Sequence, residues 1–111
     1  MNRFEAITVP PIPLDSVLFE DVSLLRMARD AEDLRIRTFV DDLTLDRLEG
    51  EIAYTNTSGQ PFRQSLSSAL DHFFNHQTHH RGQVHALMTA LAGRQAAPSL
   101  DLIAFQRENG V

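Results

Sequence analysis

All five histidines of this 111-residue chain lie between positions 72 and 85, in a stretch that contains no proline. Imidazole is the commonest metal ligand among protein side chains, and it changes its charge near neutral pH. Such crowding indicates a chemical role for the stretch. The five residues are His72, His76, His79, His80 and His85.

This stretch sits inside a longer segment, residues 65–92, that has the pattern of a helix. Its apolar residues recur at helical spacing, and it has no proline and a single glycine. On a helical wheel with His72 at zero, the apolar stripe is centred at about 100°. His76 lies at about 40° and His80 at about 80°, both within this stripe. The pattern predicts that these two imidazoles point from one face into an apolar core.

The spacing of His76 and His80 is that of a metal-binding pair. They are four residues apart, so both imidazoles can reach one ion at about 2.0–2.1 Å each. The other three histidines lie outside the apolar stripe: His72 and His79 are at its edge, and His85 is on the opposite side of the helix. A simpler interpretation is a pair of partly buried histidines that only hydrogen-bond to neighbours. The spacing alone leaves both interpretations open.

The same residues carry a resemblance to a known family. The stretch from His72 to Gln83, HFFNHQTHHRGQ, resembles the last long helix of the DinB family of bacterial metal-binding proteins. Residues 19–33 resemble the family's third helix, and residues 98–103 its C-terminal end. The resemblance implies an all-α four-helix bundle that binds a divalent ion, most often zinc or nickel, through three histidines. Two of these match His76 and His80.

The third histidine of the family pattern has no counterpart here. In the family it comes from the second helix, whereas residues 1–5 resemble only the tail of that helix and no histidine precedes His72. We therefore expect the N-terminal helices to be missing. His72 is a poor substitute, because about 12 Å of helix separates it from His80. The candidate secondary contributors to the site are His72, His79, Asn75 and Gln83.

Three functions follow as expectations. The first is a divalent-metal-binding protein of unassigned chemistry that holds its ion through His76 and His80. The second, implied by the resemblance, is a metal-dependent transferase, isomerase or hydrolase with a small thiol or another small molecule as ligand. It would need the third histidine from a missing N-terminal part or a partner, and no catalytic residue is identified. The third is a non-catalytic helical fragment without metal.

Composition narrows the class of protein. With 42% hydrophobic and 23% charged residues, the chain is ordinary material for one small domain. The absence of cysteine excludes disulfides and thiolate metal sites. No apolar segment approaches the roughly 20 residues of a membrane span and none resembles a signal peptide, so we expect a cytoplasmic protein. The net charge of −5, with arginines interspersed among acids, argues against binding to nucleic acid.

The expected organisation is a single DinB-like domain over residues 1–111, corresponding to the C-terminal two-thirds of the family pattern. Ser65 and Ser99 are the expected caps of two helices, and Gly93 the end of the longer one. The expected elements are a lead-in at 1–18, kept irregular by Pro10, Pro11 and Pro13, a helix at 20–43, a hairpin or extended loop at 50–63, the His-rich helix at 65–92 and a short helix at 99–108.

Two long amphipathic helices and a short one have too small a core to bury both apolar faces by themselves. We therefore expect a homodimer that completes a four-helix bundle from two partial ones. A marginally stable monomer is the alternative. In such a dimer, a two-fold axis would bring two copies of the His76 and His80 pair around one ion.

Overall fold

A computed structural model describes residues 1–10 and 12–111 and shows a mostly helical protein with one small antiparallel sheet. Pro11, one of the three prolines expected to keep the lead-in irregular, lies outside the described residues. The chain divides into two compact units, residues 1–69 and residues 70–111. In chain order the elements are α1 (Val22–Asp41), α2 (Leu45–Glu49), β1 (Glu51–Thr55), β2 (Pro61–Ser65), α3 (Leu66–Ala92) and α4 (Leu102–Asn109).

Helix α1 begins where its sequence provides an N-cap. The Asp21 carboxylate accepts a hydrogen bond from the Leu24 backbone N–H at 3.0 Å, which satisfies one of the free donors of the first turn. On the exposed face, Arg29 and Asp33 form an ion pair at 2.5 Å, one helical turn apart. The predicted helix at 20–43 is therefore confirmed, with slightly shorter bounds.

The N-terminal residues form a hydrogen-bonded turn that is held on α1. The Phe4 N–H donates to the Met1 carbonyl at 2.8 Å. From α1, Arg35 donates through Nε to the Glu5 carboxylate at 2.8 Å and through Nη2 to the Asn2 carboxamide oxygen at 2.7 Å. Side chains of α1 thus fix a segment that has no regular secondary structure of its own.

Helix α2 is an element that the sequence did not predict. Its N-cap is Thr44, whose hydroxyl oxygen accepts from the Arg47 N–H at 3.3 Å, and Gly50 ends it. The Arg47 guanidinium lies over the Phe39 ring, 5.3 Å from its centroid. A helix of one turn has too few residues to show a periodicity, and for that reason its apolar pattern gave no signal.

Strands β1 and β2 form the predicted hairpin. The Tyr54 and Phe62 rings, which are cross-strand partners, stack with their centroids 5.8 Å apart. In the turn, the Asn56 side-chain oxygen accepts from the backbone N–H groups of Ser58 and Gln60, each at 2.9 Å. These contacts confirm the hairpin expected at 50–63, and β2 continues to Ser65.

The long helix α3 confirms the predicted His-rich helix at 65–92. The Ser65 hydroxyl accepts from the Ser68 N–H at 3.3 Å, so Ser65 is both the last residue of β2 and the expected cap. At the other end Gly93 has a φ of +86°, a left-handed conformation that favours glycine and stops the helix.

Helix α4 begins later than predicted. Its cap is Asp101, whose carboxylate accepts from the Ile103 N–H at 3.0 Å, and not Ser99. The Ser99 hydroxyl instead accepts from the Asp101 N–H at 3.2 Å. The predicted start at 99 was wrong because Ser99 binds the backbone N–H of Asp101, and it is the Asp101 carboxylate that caps the helix.

The buried core is small. Phe39, Leu66 and Ala69 are buried in the first unit, where the Phe4 ring lies 5.7 Å from the Phe39 ring, and Leu70 is buried in the second. Of the helices in the described part of the chain, none combines the length and apolar character needed to cross a bilayer. The completed four-helix bundle stays a prediction. Large apolar side chains that remain exposed include Leu24, Leu25, Val84, Leu87, Leu91, Leu102, Ile103 and Phe105.

Candidate metal centre

The site consists of two imidazoles whose nitrogen atoms converge. His76 and His80 lie one turn apart on α3, with their Nε2 atoms 3.0 Å apart. Their ring planes are nearly perpendicular, at 88°, and the ring centroids are 4.5 Å apart. Two imidazole nitrogens bound to one tetrahedral zinc ion would lie about 3.3 Å apart, given Zn–N bonds of about 2.0–2.1 Å. The observed spacing fits one ion with only small side-chain movement.

A third side chain sets the proton position on His80. Its Nδ1 lies 2.8 Å from the Gln83 Oε1 atom. An amide oxygen can only accept, so the proton of neutral His80 is on Nδ1 and its Nε2 presents a lone pair toward His76. Metal-bound histidines are commonly oriented by such a bond at the other ring nitrogen. With this tautomer of His80, the same lone pair accepts a hydrogen bond from Nε2–H of His76, 3.0 Å away.

The electrostatics of the cluster favour a neutral His76. Slight desolvation of its ring lowers the pKa of His76, although the side chain is exposed, and positive charge on His80, His72 and His79 lowers that pKa further. A neutral imidazole is the form that binds a metal ion, because a protonated ring has no free lone pair. His76 therefore remains in its metal-binding form at a lower pH than an ordinary histidine does.

The expected burial of the pair is wrong for the single chain. His76 and His80 are both exposed, whereas His85, predicted to lie on the far side, is half-buried. A helical wheel gives the relative direction of side chains but assumes that the apolar stripe is covered along its whole length. Here Val84 and Leu87, which continue the stripe beyond His80, are exposed as well.

Three of the four candidate secondary contributors adjoin the pair. Besides Gln83, the His72 ring stacks 5.4 Å from the His76 ring, and the His79 ring lies 5.3 Å from the His80 ring. Asn75 is exposed and its side chain makes no hydrogen bond within residues 1–10 and 12–111. The structure thus places Gln83, His72 and His79 around the pair and leaves Asn75 out.

A third protein ligand is not found beside the pair. Within residues 1–10 and 12–111, no group of three or more histidine, aspartate or glutamate side chains is arranged to hold a metal ion. His79 and His72 are close in ring-to-ring distance, but the convergence of nitrogen atoms is seen between His76 and His80. The two imidazoles would fill two of the four coordination positions that zinc prefers.

Fold and site together define a class: a helical protein with a histidine pair on the exposed face of its longest helix. The family model described as DinB family matches residues 3–109, which include every helix and strand. The chain therefore belongs to the DinB family, and the resemblance seen in the sequence is confirmed. Comparisons with curated proteins and with solved structures found no significant match.

Proposed function

We propose that this DinB-family protein binds a divalent metal ion, zinc or nickel, through the Nε2 atoms of His76 and His80. The observation that carries the proposal is the 3.0 Å separation of these two atoms. The hydrogen bond from His80 to Gln83 supports it, because it aims a lone pair at the point where the ion would lie. A plain hydrogen bond between the rings would also give this separation, so the test must measure the ion itself.

Each residue of the site has a separate part in this function. His76 and His80 supply the two nitrogen ligands, and Gln83 holds the His80 ring in the required tautomer. The rings of His72 and His79 border the pair and disfavour protonation of His76. A divalent ion at this point would lower the pKa of a bound water or thiol. A small thiol is therefore one ligand that the site would take.

The test is the metal content of purified variants, made without a histidine tag and incubated with zinc. We expect His76→Ala and His80→Ala each to lose the bound ion that elemental analysis detects in the wild type. His85→Ala is the matched control on the same helix and should keep it, provided that circular dichroism shows an unchanged fold. Equal metal content in the wild type and in the variant lacking both His76 and His80 would contradict the proposal.

A further inference from the structure

We infer that Asn109 is a site of spontaneous deamidation, and that the last turn of α4 controls how fast the reaction proceeds. Of the four asparagines in the chain, Asn109 alone precedes a glycine, Gly110. Glycine has no Cβ, so nothing shields its backbone nitrogen from the side-chain carboxamide of the preceding residue. This pair is therefore the position where an asparagine side chain reacts most readily with the following peptide nitrogen. The inference is independent of the metal site.

The reaction needs only the chain and water. The Gly110 nitrogen forms a bond to Cγ of Asn109 and the bond between Cγ and Nδ2 breaks. Nδ2 leaves as ammonia, with the proton that the Gly110 nitrogen gives up. The product is a cyclic imide, and a water molecule opens this ring at either carbonyl to leave aspartate or isoaspartate at position 109. Nothing is oxidised or reduced, and the change is irreversible once the ammonia has gone.

In the folded chain, both reacting groups are held by hydrogen bonds to the preceding turn of α4. The Asn109 Nδ2 atom donates to the Phe105 carbonyl oxygen at 2.8 Å. The Gly110 N–H donates to the Gln106 carbonyl oxygen, and the Val111 N–H donates to the same oxygen at 2.9 Å. The nitrogen that attacks and the carboxamide that it attacks are therefore released together, when this turn opens.

The backbone conformation of Asn109 is a second restraint. The cyclic imide includes the Cα–C bond of Asn109, so ring closure fixes ψ of this residue far from the about −42° of an α-helix. Asn109 is the last residue of α4, and Gly110 ends the helix with a φ of +69°. This left-handed conformation favours glycine. The residue that makes the reaction fast is thus also the one that closes the turn restraining it.

Deamidation should open this turn permanently. A carboxylate at position 109 cannot donate a hydrogen bond, so the contact with the Phe105 carbonyl is lost. The carboxylate also adds a negative charge at the C-terminal end of α4, where the helix dipole disfavours it. Isoaspartate lengthens the backbone by one methylene group, which moves the Gly110 N–H out of register with the Gln106 carbonyl. The modification is therefore a one-way change in the structure of α4.

The stability of α4 should set the rate in the folded chain. The helix has eight residues, and isolated helices shorter than about 12 residues are marginal in water. Its N-cap is Asp101, whose carboxylate accepts from the Ile103 N–H at 3.0 Å. When a helix opens and closes faster than the chemistry, the reaction rate follows the population of the open form. A weaker cap should consequently give faster deamidation.

The first experiment incubates the full chain in mildly alkaline buffer, with and without guanidinium chloride, and follows each asparagine by mass spectrometry of peptides. We expect Asn109 to become an acid about tenfold faster in denaturant, since hydrogen bonds hold both reacting groups in the folded chain. Asn56 is the internal control and should react far more slowly in both conditions, because the branched side chain of Thr57 shields the peptide nitrogen.

A variant tests the chemistry apart from the fold. In guanidinium chloride, Gly110→Ala should abolish the reaction at Asn109 on the same timescale, because the added methyl group hinders ring closure. No acid at Asn109 in the denatured wild type would overturn the site. Equal rates at Asn109 with and without denaturant would overturn the control by α4.

A matched pair of variants changes the helix without touching the reacting groups. Asp101→Ala removes the cap of α4 and should speed deamidation of the folded chain about fivefold. Asp101→Ser keeps a capping oxygen and should react like the wild type. In guanidinium chloride all three proteins should react at the same rate. If Asp101→Ala left the rate of the folded chain unchanged, the control by α4 would be overturned.

Discussion

The hydrogen bond between Gln83 and His80 separates this pair from histidines that merely share a helix face. An unrestrained imidazole exchanges its proton between the two nitrogens, so the nitrogen that faces the ion is not fixed. The 2.8 Å contact places the proton of His80 on Nδ1. Gln83 is one turn from His80, so helix formation alone brings the two side chains together.

Replacing Gln83 should therefore weaken metal binding without removing a ligand. We expect Gln83→Leu to lower zinc affinity by about 10- to 100-fold, the usual effect of losing the partner that orients a metal-bound histidine. Gln83→Glu keeps an acceptor oxygen at the same reach and should retain most of the affinity. Competition with a chromophoric chelator measures both. Equal affinities for the leucine variant and the wild type would show that the His80 ring needs no orientation by Gln83.

At the scale of the elements, the sequence patterns predict the two long helices and the hairpin, whereas they miss α2 and place the start of α4 too early. Helices α1 and α3 have enough turns for their apolar residues to establish a period, and their bounds were close to the prediction. Helix α2 has five residues, and α4 starts at an aspartate cap that competes with Ser99. Both outcomes depend on individual side-chain hydrogen bonds, which periodicity does not describe.

The candidate site divides in the same way. That His76 and His80 share a face follows from helical geometry, and the 3.0 Å contact between them confirms it. Whether that face is covered depends on which other elements pack against it, and a helical wheel describes one helix alone. The expected burial of the pair was wrong for this reason. Contacts within one turn were predictable, and contacts with distant parts of the chain were not.

The attachment of the N-terminal turn to α1 was also beyond the sequence patterns, because Glu5 and Arg35 are 30 residues apart. The hydrogen bond from Arg35 is the main cause that lowers the pKa of Glu5 below its ordinary value. A carboxylate whose pKa is lowered by folding stabilises the folded state above its unfolded value of about 4.3. That stabilisation is lost as pH falls through the lowered folded-state pKa.

We expect Glu5→Gln to lower the melting temperature at neutral pH, and the difference from the wild type to shrink as the pH falls below about 4. Glu20→Gln, at an exposed carboxylate before α1, is the matched control and should melt like the wild type throughout. Melting followed by circular dichroism across this pH range provides the measurement. A difference between Glu5→Gln and the wild type that did not change with pH would show that the Glu5 charge contributes nothing.

For the whole molecule, the main feature is how much apolar surface the chain leaves exposed. Among residues 1–10 and 12–111, the buried apolar side chains are Phe39, Leu66, Ala69 and Leu70, whereas large apolar residues of α1, α3 and α4 are exposed. A metal ion bound by His76 and His80 would add a binding free energy to a fold whose own core is small.

Removing the metal should consequently destabilise the whole protein. At a free zinc concentration of 100 times the dissociation constant, binding to the folded state contributes about 2.7 kcal/mol, which for a chain of this size raises Tm by about 10 °C. A chelator should abolish this rise. The variant lacking His76 and His80 should show no zinc-dependent change, and His85→Ala should behave like the wild type. A zinc-induced rise in Tm that is equally large without the two histidines would mean that the ion binds elsewhere on the protein.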